Sequence, residues 1–370
     1  MMRSLVEDAL SREGTGSGNV ASTDTPIDTV VDAELETILK SLRTNIKIIG
    51  VGGGGCNTIA RIMDEGIVGA DLYAANTDAQ HLLIVHSPHK ILLGRRITRG
   101  LGAGAVPQIG EEAAREAEEE IKKVVSDAHI CFVTCGLGGG TGTGAAPVVA
   151  RLAKEAGALT VAVATIPFKG EGKMRMENAE WGLDRLREAA DTVVVIQNDK
   201  LLEIVPKLAI TAAFKVADEV LMKSIKGLTE MITRPGLVNL DFNDLKTIMK
   251  GGGVAMMGLG EGDEDSDDRA IDAINQAIHS PMLEVDISEA TGVLVDVIGG
   301  PDMTLAEAER AAEEVQKKVS PNARIIWGAA IDPSFDKRMR IMLVVTGVRS
   351  KQILGRDESP KKIGELEFIH

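Results

Sequence analysis

Short apolar runs alternate with longer segments of helical spacing through the first half of the chain. The runs that are apolar at nearly every position lie at residues 46–51, 130–135, 159–166 and 192–196, with shorter ones at 72–76 and 90–93. A continuous apolar run is typical of a strand that is buried on both faces of a parallel sheet. Because helical segments separate the runs, the pattern predicts an α/β fold with a doubly wound parallel sheet.

A long helix is predicted at residues 211–233, just before Arg234-Pro-Gly236. At 1.5 Å per residue it would span about 34 Å. Its apolar positions exceed a single stripe, so we expect it to be buried on more than one side. This helix is predicted to be a rod between two domains.

The pattern changes after residue 251. Strands are predicted at 254–259, 291–298, 323–331 and 338–348, and helices at 267–278 and 305–319. The order β-α-β-α-β-β predicts a smaller α+β domain with a mixed sheet. The chain is thus predicted to divide into a disordered N-terminal extension with a docking helix (1–44), a nucleotide domain (45–210), the central helix with the loop after it (211–250), the α+β domain (251–350) and a C-terminal tail (351–370).

Composition narrows the choice of partners. The formal net charge is −14 and aromatic residues make up 2% of the chain, which disfavours nucleic acid as a partner. No apolar run approaches the roughly 18 residues of a membrane span and no signal peptide opens the chain, so we expect a cytoplasmic protein without direct membrane insertion. Cys56, Cys131 and Cys135 lack metal-ligand spacing, and no side-chain metal site is predicted.

The candidate chemistry centres on Gly136-Leu-Gly-Gly-Gly-Thr-Gly-Thr-Gly144, which follows a predicted strand and precedes a helix expected to begin near Ala145. Unpaired amides and the helix dipole make such a junction a phosphate site, and Thr141 and Thr143 add hydroxyl groups. A flexible turn is the simpler alternative. The segment is not the common P-loop, because Ala145 and Ala146 stand where that loop has Lys and Ser or Thr.

A second glycine loop, Gly52-Gly-Gly-Gly55, follows the first strand, and a helix is expected from Thr58. Read from Gly50, it also satisfies the dinucleotide fingerprint, and Asp71 lies about where a ribose-binding acid belongs. A nicotinamide-dependent oxidoreductase is therefore a rival hypothesis, and a non-hydrolysing nucleotide-binding scaffold is another. The richer glycine loop, Gly136–Gly144, has no place in the oxidoreductase scheme.

These motifs together resemble the FtsZ family, the tubulin-like cell-division GTPases of bacteria and archaea, in an archaeal-type form. The resemblance covers roughly residues 45–350, with the motifs in the family's order. They are Gly50–Asn57, Asn76-Thr-Asp78, Gly102-Ala-Gly104, Gly138-Gly-Gly-Thr-Gly-Thr-Gly144, Glu171–Arg175, Asn198-Asp-Lys200, Thr233-Arg-Pro-Gly236 and Asn239-Leu-Asp-Phe-Asn-Asp244.

The resemblance implies a tubulin/FtsZ-like fold that binds GTP or GDP, with Mg²⁺ held mainly by phosphates and water. The residues implied to bind the nucleotide are Gly53, Gly54, Gly55, Cys56, Asn57, Gly140, Thr141, Gly142, Glu171, Arg175, Asn198, Phe214 and Asp218. Phe214 and Asp218 lie four apart and so share a helix face. They match positions that stack on guanine and accept hydrogen bonds from it, although Asn is common in the family at the position of Asp218.

The sequence allows two interpretations of the role of Asp241 and Asp244. Asp241 before a helical segment, with an acid three residues later, is typical of a helix N-cap. In the family, the loop that contains Asn239, Asp241 and Asp244 enters the nucleotide site of the next subunit, where its acids polarise the attacking water. An acid can do both.

The resemblance thus implies a head-to-tail homopolymer at the division site that hydrolyses GTP between subunits. Membrane-anchoring or other division proteins are possible partners.

Overall fold

The computed structural model describes residues 44–204, 210–233, 236–238, 241–264, 268–283 and 286–348. Its strands are β1 (Ile46–Val51), β2 (Ala70–Asn76), β3 (His89–Leu92), β4 (Ile130–Gly136), β5 (Leu159–Ile166), β6 (Thr192–Gln197), β7 (Gly253–Gly262), β8 (Gly292–Gly299), β9 (Arg324–Ile331) and β10 (Met339–Thr346). They form a ten-stranded sheet in the order β3-β2-β1-β4-β5-β6-β7-β10-β8-β9.

The α-helices of the described residues are α1 (Gly52–Glu65), α2 (Ala79–Ile84), α3 (Pro107–Glu116), α4 (Glu118–Val125), α5 (Thr141–Glu155), α6 (Lys173–Ala189), α7 (Asn198–Ile204), α8 (Ile210–Thr233), α9 (Phe242–Met249), α10 (Arg269–Ile278) and α11 (Leu305–Lys318). Every strand predicted from the apolar runs is present to within a few residues. Helices α3 and α4 follow each other directly and meet at Ala117.

The sheet is parallel from β3 through β6, as the continuous apolar runs predict. Strand β7 continues it in parallel through a three-residue pairing of Thr192–Val194 with residues 253–255. Beyond it, β10 runs antiparallel between β7 and β8, and β9 is parallel to β8. The predicted mixed sheet of the C-terminal region is thus continuous with the parallel sheet.

Helices α1 and α5 begin earlier than predicted, inside the glycine loops. Glycine is about 1 kcal/mol less favourable than alanine in a helix, but only glycine fits here. A β-carbon on Gly55 would lie 2.3 Å from the Thr134 carbonyl oxygen, and one on Gly52 would lie 2.7 Å from the Gly142 nitrogen. Close backbone packing therefore overrides local propensity, and it makes the glycine loops the first helical turns.

The central helix α8 lies against α1 with its direction opposite to that of the strands. Its first half places Phe214 against Phe168, which follows β5. Its last residue, Thr233, contacts Gly69, which directly precedes β2. Its 24 residues span about 36 Å. Helix α8 therefore connects the carboxyl edge of the parallel sheet with the amino edge.

Some predictions fall outside the described residues. They are the N-terminal extension with its docking helix, the C-terminal tail from residue 351, and Asn239 of the loop after the central helix.

Candidate functional site

Three loops meet at the carboxyl edge of the parallel sheet. The loop after β1 touches the loop after β4, where a β-carbon on Gly52 would lie 2.7 Å from the Gly142 nitrogen. The third loop spans residues 100–106, and its Gly104 carbonyl accepts a hydrogen bond of 2.8 Å from the Gly140 N–H. The two glycine loops that the sequence singles out are therefore neighbours, and the third flexible loop lies against them.

Backbone donors at this junction are left without acceptors. Within the part of the chain that the structure describes, the N–H groups of Gly139, Ala103, Gly104 and Ala105 donate to no protein atom. The first amides of α1 and α5 likewise lack acceptors within their own helices. Unpaired backbone donors that cluster at two helix N-termini form an anion site. β-Carbons built on Gly53 and Gly139 would meet nothing within 4 Å, so both positions face open space.

Hydroxyl groups line the base of this junction. The Oγ1 atoms of Thr77 and Thr141 are 2.6 Å apart, and both residues are buried. Thr143 is also fully buried, and its Oγ1 accepts a hydrogen bond from the Gly138 N–H at 2.8 Å. Thr143 therefore shapes the glycine loop from within rather than facing a ligand, whereas Thr141 is at the start of α5.

Cys56 and Asn57 occupy different environments in α1. The Cys56 side chain is buried and its Sγ lies 3.7 Å from the Gly50 carbonyl oxygen, so only its backbone remains for a ligand. Burial raises the pKa of this thiol to about 12. Asn57 is exposed, and its Oδ1 is 3.2 Å from His81 Nε2. The Nδ1 of His81 in turn contacts Asn76, so His81 lies beside the site although no sequence motif points to it.

Glu171 and Arg175 form an ion pair beside the main glycine loop. The Arg175 Nη1 is 2.6 Å from Glu171 Oε2, and Glu171 Oε1 accepts a hydrogen bond from the Phe168 N–H. A β-carbon on Gly138 would lie 2.9 Å from the Arg175 carbonyl oxygen. Glu171 therefore fixes the segment after β5, and the Arg175 backbone lies against the main glycine loop.

Two aromatic rings and one amide form a second part of the site. Phe214 is 40% exposed and packs edge to face on Phe168, with ring centroids 5.2 Å apart. Asn198 begins α7 and is 4% exposed, and its Oδ1 has no hydrogen-bond partner among the described residues. A buried amide oxygen without a donor is costly, which favours a ligand that supplies an N–H group there.

Asp218 lies one turn along α8 from Phe214 and is half-buried. Its Oδ2 is 3.8 Å from Arg61 Nε. Burial raises the pKa of Asp218 to about 6, although the Arg61 guanidinium opposes this rise. The carboxylate is thus ionised at neutral pH and can accept hydrogen bonds from a neutral heterocycle.

Asp241 and Asp244 lie apart from all these residues. Asp241 is the N-cap of α9, since its carboxylate accepts a hydrogen bond of 3.1 Å from the Asn243 N–H, as the helix-start pattern predicts. Both acids are exposed. Helix α9 ends beside Thr192, the first residue of β6, so it lies at the amino edge of the sheet. One nucleotide at the glycine loops therefore cannot touch these acids within the same molecule.

Asp71 does not lie where a ribose-binding acid is needed. It is near the start of β2, in register with Lys47 of β1, and its Oδ2 is 2.7 Å from Lys47 Nζ. In the dinucleotide fold, that acid follows the second strand at the carboxyl edge. The expectation for Asp71 is therefore wrong, because spacing along the chain does not reveal at which end of the strand the residue falls.

No cluster of three His, Cys, Asp or Glu side chains in the described ranges is arranged to hold a metal ion. A cavity of about 390 Å³ lies on another side of α8, against β8 and β10. It contains none of the predicted nucleotide-binding residues. Burial and the neighbouring Glu230 raise the pKa of its Asp296 to about 7.

Two family models match the chain in succession. The GTPase domain of the Tubulin/FtsZ family matches residues 45–206, and the C-terminal domain of the FtsZ family matches residues 253–349. A curated relative, cell division protein FtsZ 1 of Archaeoglobus fulgidus, is 56% identical over 379 residues, which cover 100% of this chain and 99% of the relative.

Solved structures resemble the chain in the same way. An FtsZ dimer from M. jannaschii superimposes with a TM-score of 0.82 at 53% identity, covering 87% of this chain and 92% of that one. CetZ2 from Haloferax volcanii, described as a GTPgS-bound protofilament, has a TM-score of 0.71 at 23% identity over 84% of this chain and 95% of that one. At that identity the similarity concerns the fold alone. Among the described helices, none combines the length and apolarity needed to cross a membrane.

Proposed function

This chain belongs to the FtsZ family of tubulin-like cell-division GTPases, and we propose that it binds GTP at the three-loop junction and hydrolyses it only between subunits of a head-to-tail filament. Binding of GTP and GDP and hydrolysis of GTP are general properties of this family. The proposal assigns those properties to named residues and places the water-activating acids on a neighbouring copy. The matching family models and the relatives named above give no support to the nicotinamide alternative.

The observation that carries this proposal is the set of unpaired amides at Gly139, Ala103, Gly104 and Ala105 beside the first turns of α1 and α5. Such a cluster fits a chain of phosphates. In this proposal, the phosphate site would be lined by Gly53, Gly54, Gly55, Gly140, Thr141 and Gly142, with the backbone of Cys56 and the amide of Asn57. Mg²⁺ would bind mainly to the phosphates and water and would neutralise charge there.

The base would lie against Phe214, between Asp218 and Asn198. An ionised carboxylate accepts from the adjacent ring N–H and amino group of guanine, a donor pair that adenine lacks. The Asn198 Oδ1, buried and unpartnered within the described residues, gives a second acceptor near the base. Glu171 and Arg175 would face the ribose and phosphates. The site therefore favours guanine over adenine.

Hydrolysis would require a second copy. From Phe214 at the base site to its end at Thr233, helix α8 spans about 29 Å, and Asp241 follows that end, so Asp241 and Asp244 would reach a nucleotide only in the next subunit. There they would position the attacking water, which is the main task in phosphoryl transfer. Asn239 of the same loop would assist them. The FtsZ dimer from M. jannaschii among the similar structures supports such self-association.

The remaining parts of the proposal concern organisation in the cell. We assign GTP binding to residues 45–210, the helix and catalytic loop to 211–250, and activation of hydrolysis to 251–350. The filament would assemble in the cytoplasm at the division site. Membrane-anchoring and other division proteins would attach it there.

A competition and assembly experiment tests the proposal. Light scattering and phosphate release are followed in parallel with GTP, GDP, ATP and NADH over a range of protein concentrations. We expect assembly and turnover with GTP alone, and turnover per molecule that rises above a threshold concentration. Displacement of GTP by ATP or NADH at comparable concentration, or turnover per molecule that stays constant on dilution, would contradict the proposal.

A further inference from the structure

Asn178 joins two of the three loops through a single side-chain amide. It lies on α6, three residues after Arg175, and so on the same helix face. Its Nδ2 donates to the Ala105 carbonyl oxygen at 3.0 Å and to the Gly138 carbonyl oxygen at 3.3 Å. The first acceptor belongs to the loop at residues 100–106 and the second to the main glycine loop. No sequence motif points to Asn178.

Most other hydrogen bonds of the loop at residues 100–106 hold its first half, including one of 3.0 Å from the Ala79 N–H to the Gly100 carbonyl oxygen. Its Gly104 carbonyl accepts from the Gly140 N–H at 2.8 Å, and its Gly102 N–H donates to the Thr77 carbonyl at 3.2 Å. Gly102 and Gly104 have positive φ, a backbone conformation that glycine adopts without steric cost. Asn178 fixes Ala105, at the far end of the three unpaired amides, so it holds the segment that carries them.

We propose that Asn178 is a positioning residue that holds the amides of residues 103–105 against the glycine loop, where they contact the terminal phosphate of a nucleoside triphosphate. The inference rests on the proposed nucleotide site. It adds that Asn178 sets the preference for the triphosphate over the diphosphate. The diphosphate lacks the group that these amides would bind, so its affinity does not depend on the loop.

The chemistry of the side chain fits this role. A carboxamide carries two N–H donors on one nitrogen and bears no charge. It can therefore satisfy two carbonyl oxygens at once without drawing a phosphate out of place. A carboxylate of the same shape has no donor and would face both carbonyl oxygens with negative charge, so the loop would be released.

The test compares triphosphate and diphosphate binding in the full-length protein below its assembly threshold. Affinities for GTPγS and GDP are measured for the parent, Asn178→Asp, Asn178→Ala, Asn178→Gln and the control Glu180→Gln, an exposed position on the same helix. The two hydrogen bonds together are worth about a tenfold change in affinity. We expect GTPγS affinity to fall about tenfold in Asn178→Ala and further in Asn178→Asp, with GDP affinity within twofold of the parent.

Asn178→Gln retains both donors and should recover most of the triphosphate preference, and Glu180→Gln should match the parent. Equal losses for GTPγS and GDP, or an unchanged ratio in Asn178→Asp, would overturn the inference, because a merely structural role moves both affinities together. Melting temperatures of all variants identify any that fail to fold. A parent that binds neither nucleotide would contradict the proposed function itself, and this inference with it.

Discussion

At the carboxyl edge of the parallel sheet, the N–H groups of Gly139 and Ala103 have no acceptor in the described structure. At the amino edge, the nearly buried Lys47 ammonium is paired with both Asp71 and Asp127, at 2.7 and 3.4 Å. Backbone donors are normally satisfied when a protein folds. The edge that retains unpaired donors is the one that needs a ligand, and the edge whose charges are already paired needs none.

The acids of α9 are the exception at the amino edge. Asp241 caps its helix, yet it and Asp244 remain exposed. An exposed cap has spare acceptor capacity, because a carboxylate offers about four lone-pair sites and the cap uses one. At the amino edge, Lys47 is therefore paired, whereas the acids at the start of α9 can accept further hydrogen bonds. In an assembly, these acids of one molecule could lie at the carboxyl edge of the sheet in a second molecule.

The largest effect is expected from Asp241→Ala. If the acid positions water in the neighbouring subunit, turnover should fall about 100-fold or more, while GTP affinity and assembly are kept. Phosphate release and light scattering measure both quantities. Asp244→Ala should lower turnover in the same way. A parallel loss of GTP affinity in Asp241→Ala would place the acid at its own molecule's nucleotide and remove the contrast between the two edges.

Gly139→Val is expected to have the next largest effect. A side chain there enters open space beside an unpaired amide, so it should obstruct the phosphates and lower GTP affinity about 50-fold or more while the fold is kept. Gly142 is a less clean choice, since its β-carbon would lie 2.4 Å from the Gly136 carbonyl oxygen and would distort the loop itself. Unchanged GTP affinity in Gly139→Val, by fluorescence titration, would mean that the loop is only a turn.

Mixing these two variants tests the shared site directly. One junction between an Asp241→Ala chain and a Gly139→Val chain pairs intact loops with intact acids, so some turnover should return. No recovery across a range of ratios, although the two chains co-assemble, would show that the acids do not act on a neighbour's nucleotide.

A smaller effect is expected from the titration of Asp218. In the proposed site, the ionised carboxylate of Asp218 accepts from both guanine donors, which a protonated carboxyl group does less well, and burial raises its pKa to about 6. GTP affinity should therefore be highest above pH 6 and fall as the pH drops through that value, by about tenfold at one unit below. Asp218→Asn cannot titrate, so its profile, which contains every other ionisation including those of the nucleotide, serves as the control. Identical profiles for parent and Asp218→Asn would exclude the role in base recognition.

Local pattern was sufficient for the strands, the central helix and the two glycine loops, because each depends on residues close in sequence. It was insufficient where distant backbone segments meet. The helices start inside the glycine loops because Gly55 packs on Thr134, and Asn178 reaches Ala105, 73 residues away. Helical spacing shows which residues share a face, but it does not show what that face contacts.

The wrong expectation for Asp71 shows the same limit of local sequence pattern. The fingerprint spacing places an acid near the second strand, and that strand exists, but the β1–β2 register puts Asp71 opposite Lys47 at its amino end. The strand is two residues longer at its start than the apolar run indicates. With either boundary Asp71 lies at the amino end of the strand, so the number of residues from the glycine loop did not identify an acid at the carboxyl edge of the sheet.

The smallest effect is expected from Asp71→Asn, which tests the ion pair at the amino edge of the sheet. Its carboxylate is half-exposed and Lys47 retains Asp127 as a partner at 3.4 Å, so the loss of stability should be about 0.5–1 kcal/mol. GTP affinity should stay within twofold of the parent, because the ion pair lies at the far end of β1 from the glycine loop. Asp127→Asn, which removes the other carboxylate of the same lysine, is the matched control and should behave alike. Urea unfolding and nucleotide titration measure the two quantities. A tenfold loss of GTP affinity in Asp71→Asn alone would assign Asp71 to the nucleotide site. The proposed difference between the two edges, in which the carboxyl edge binds a ligand and the amino edge pairs its own charges, would then be wrong.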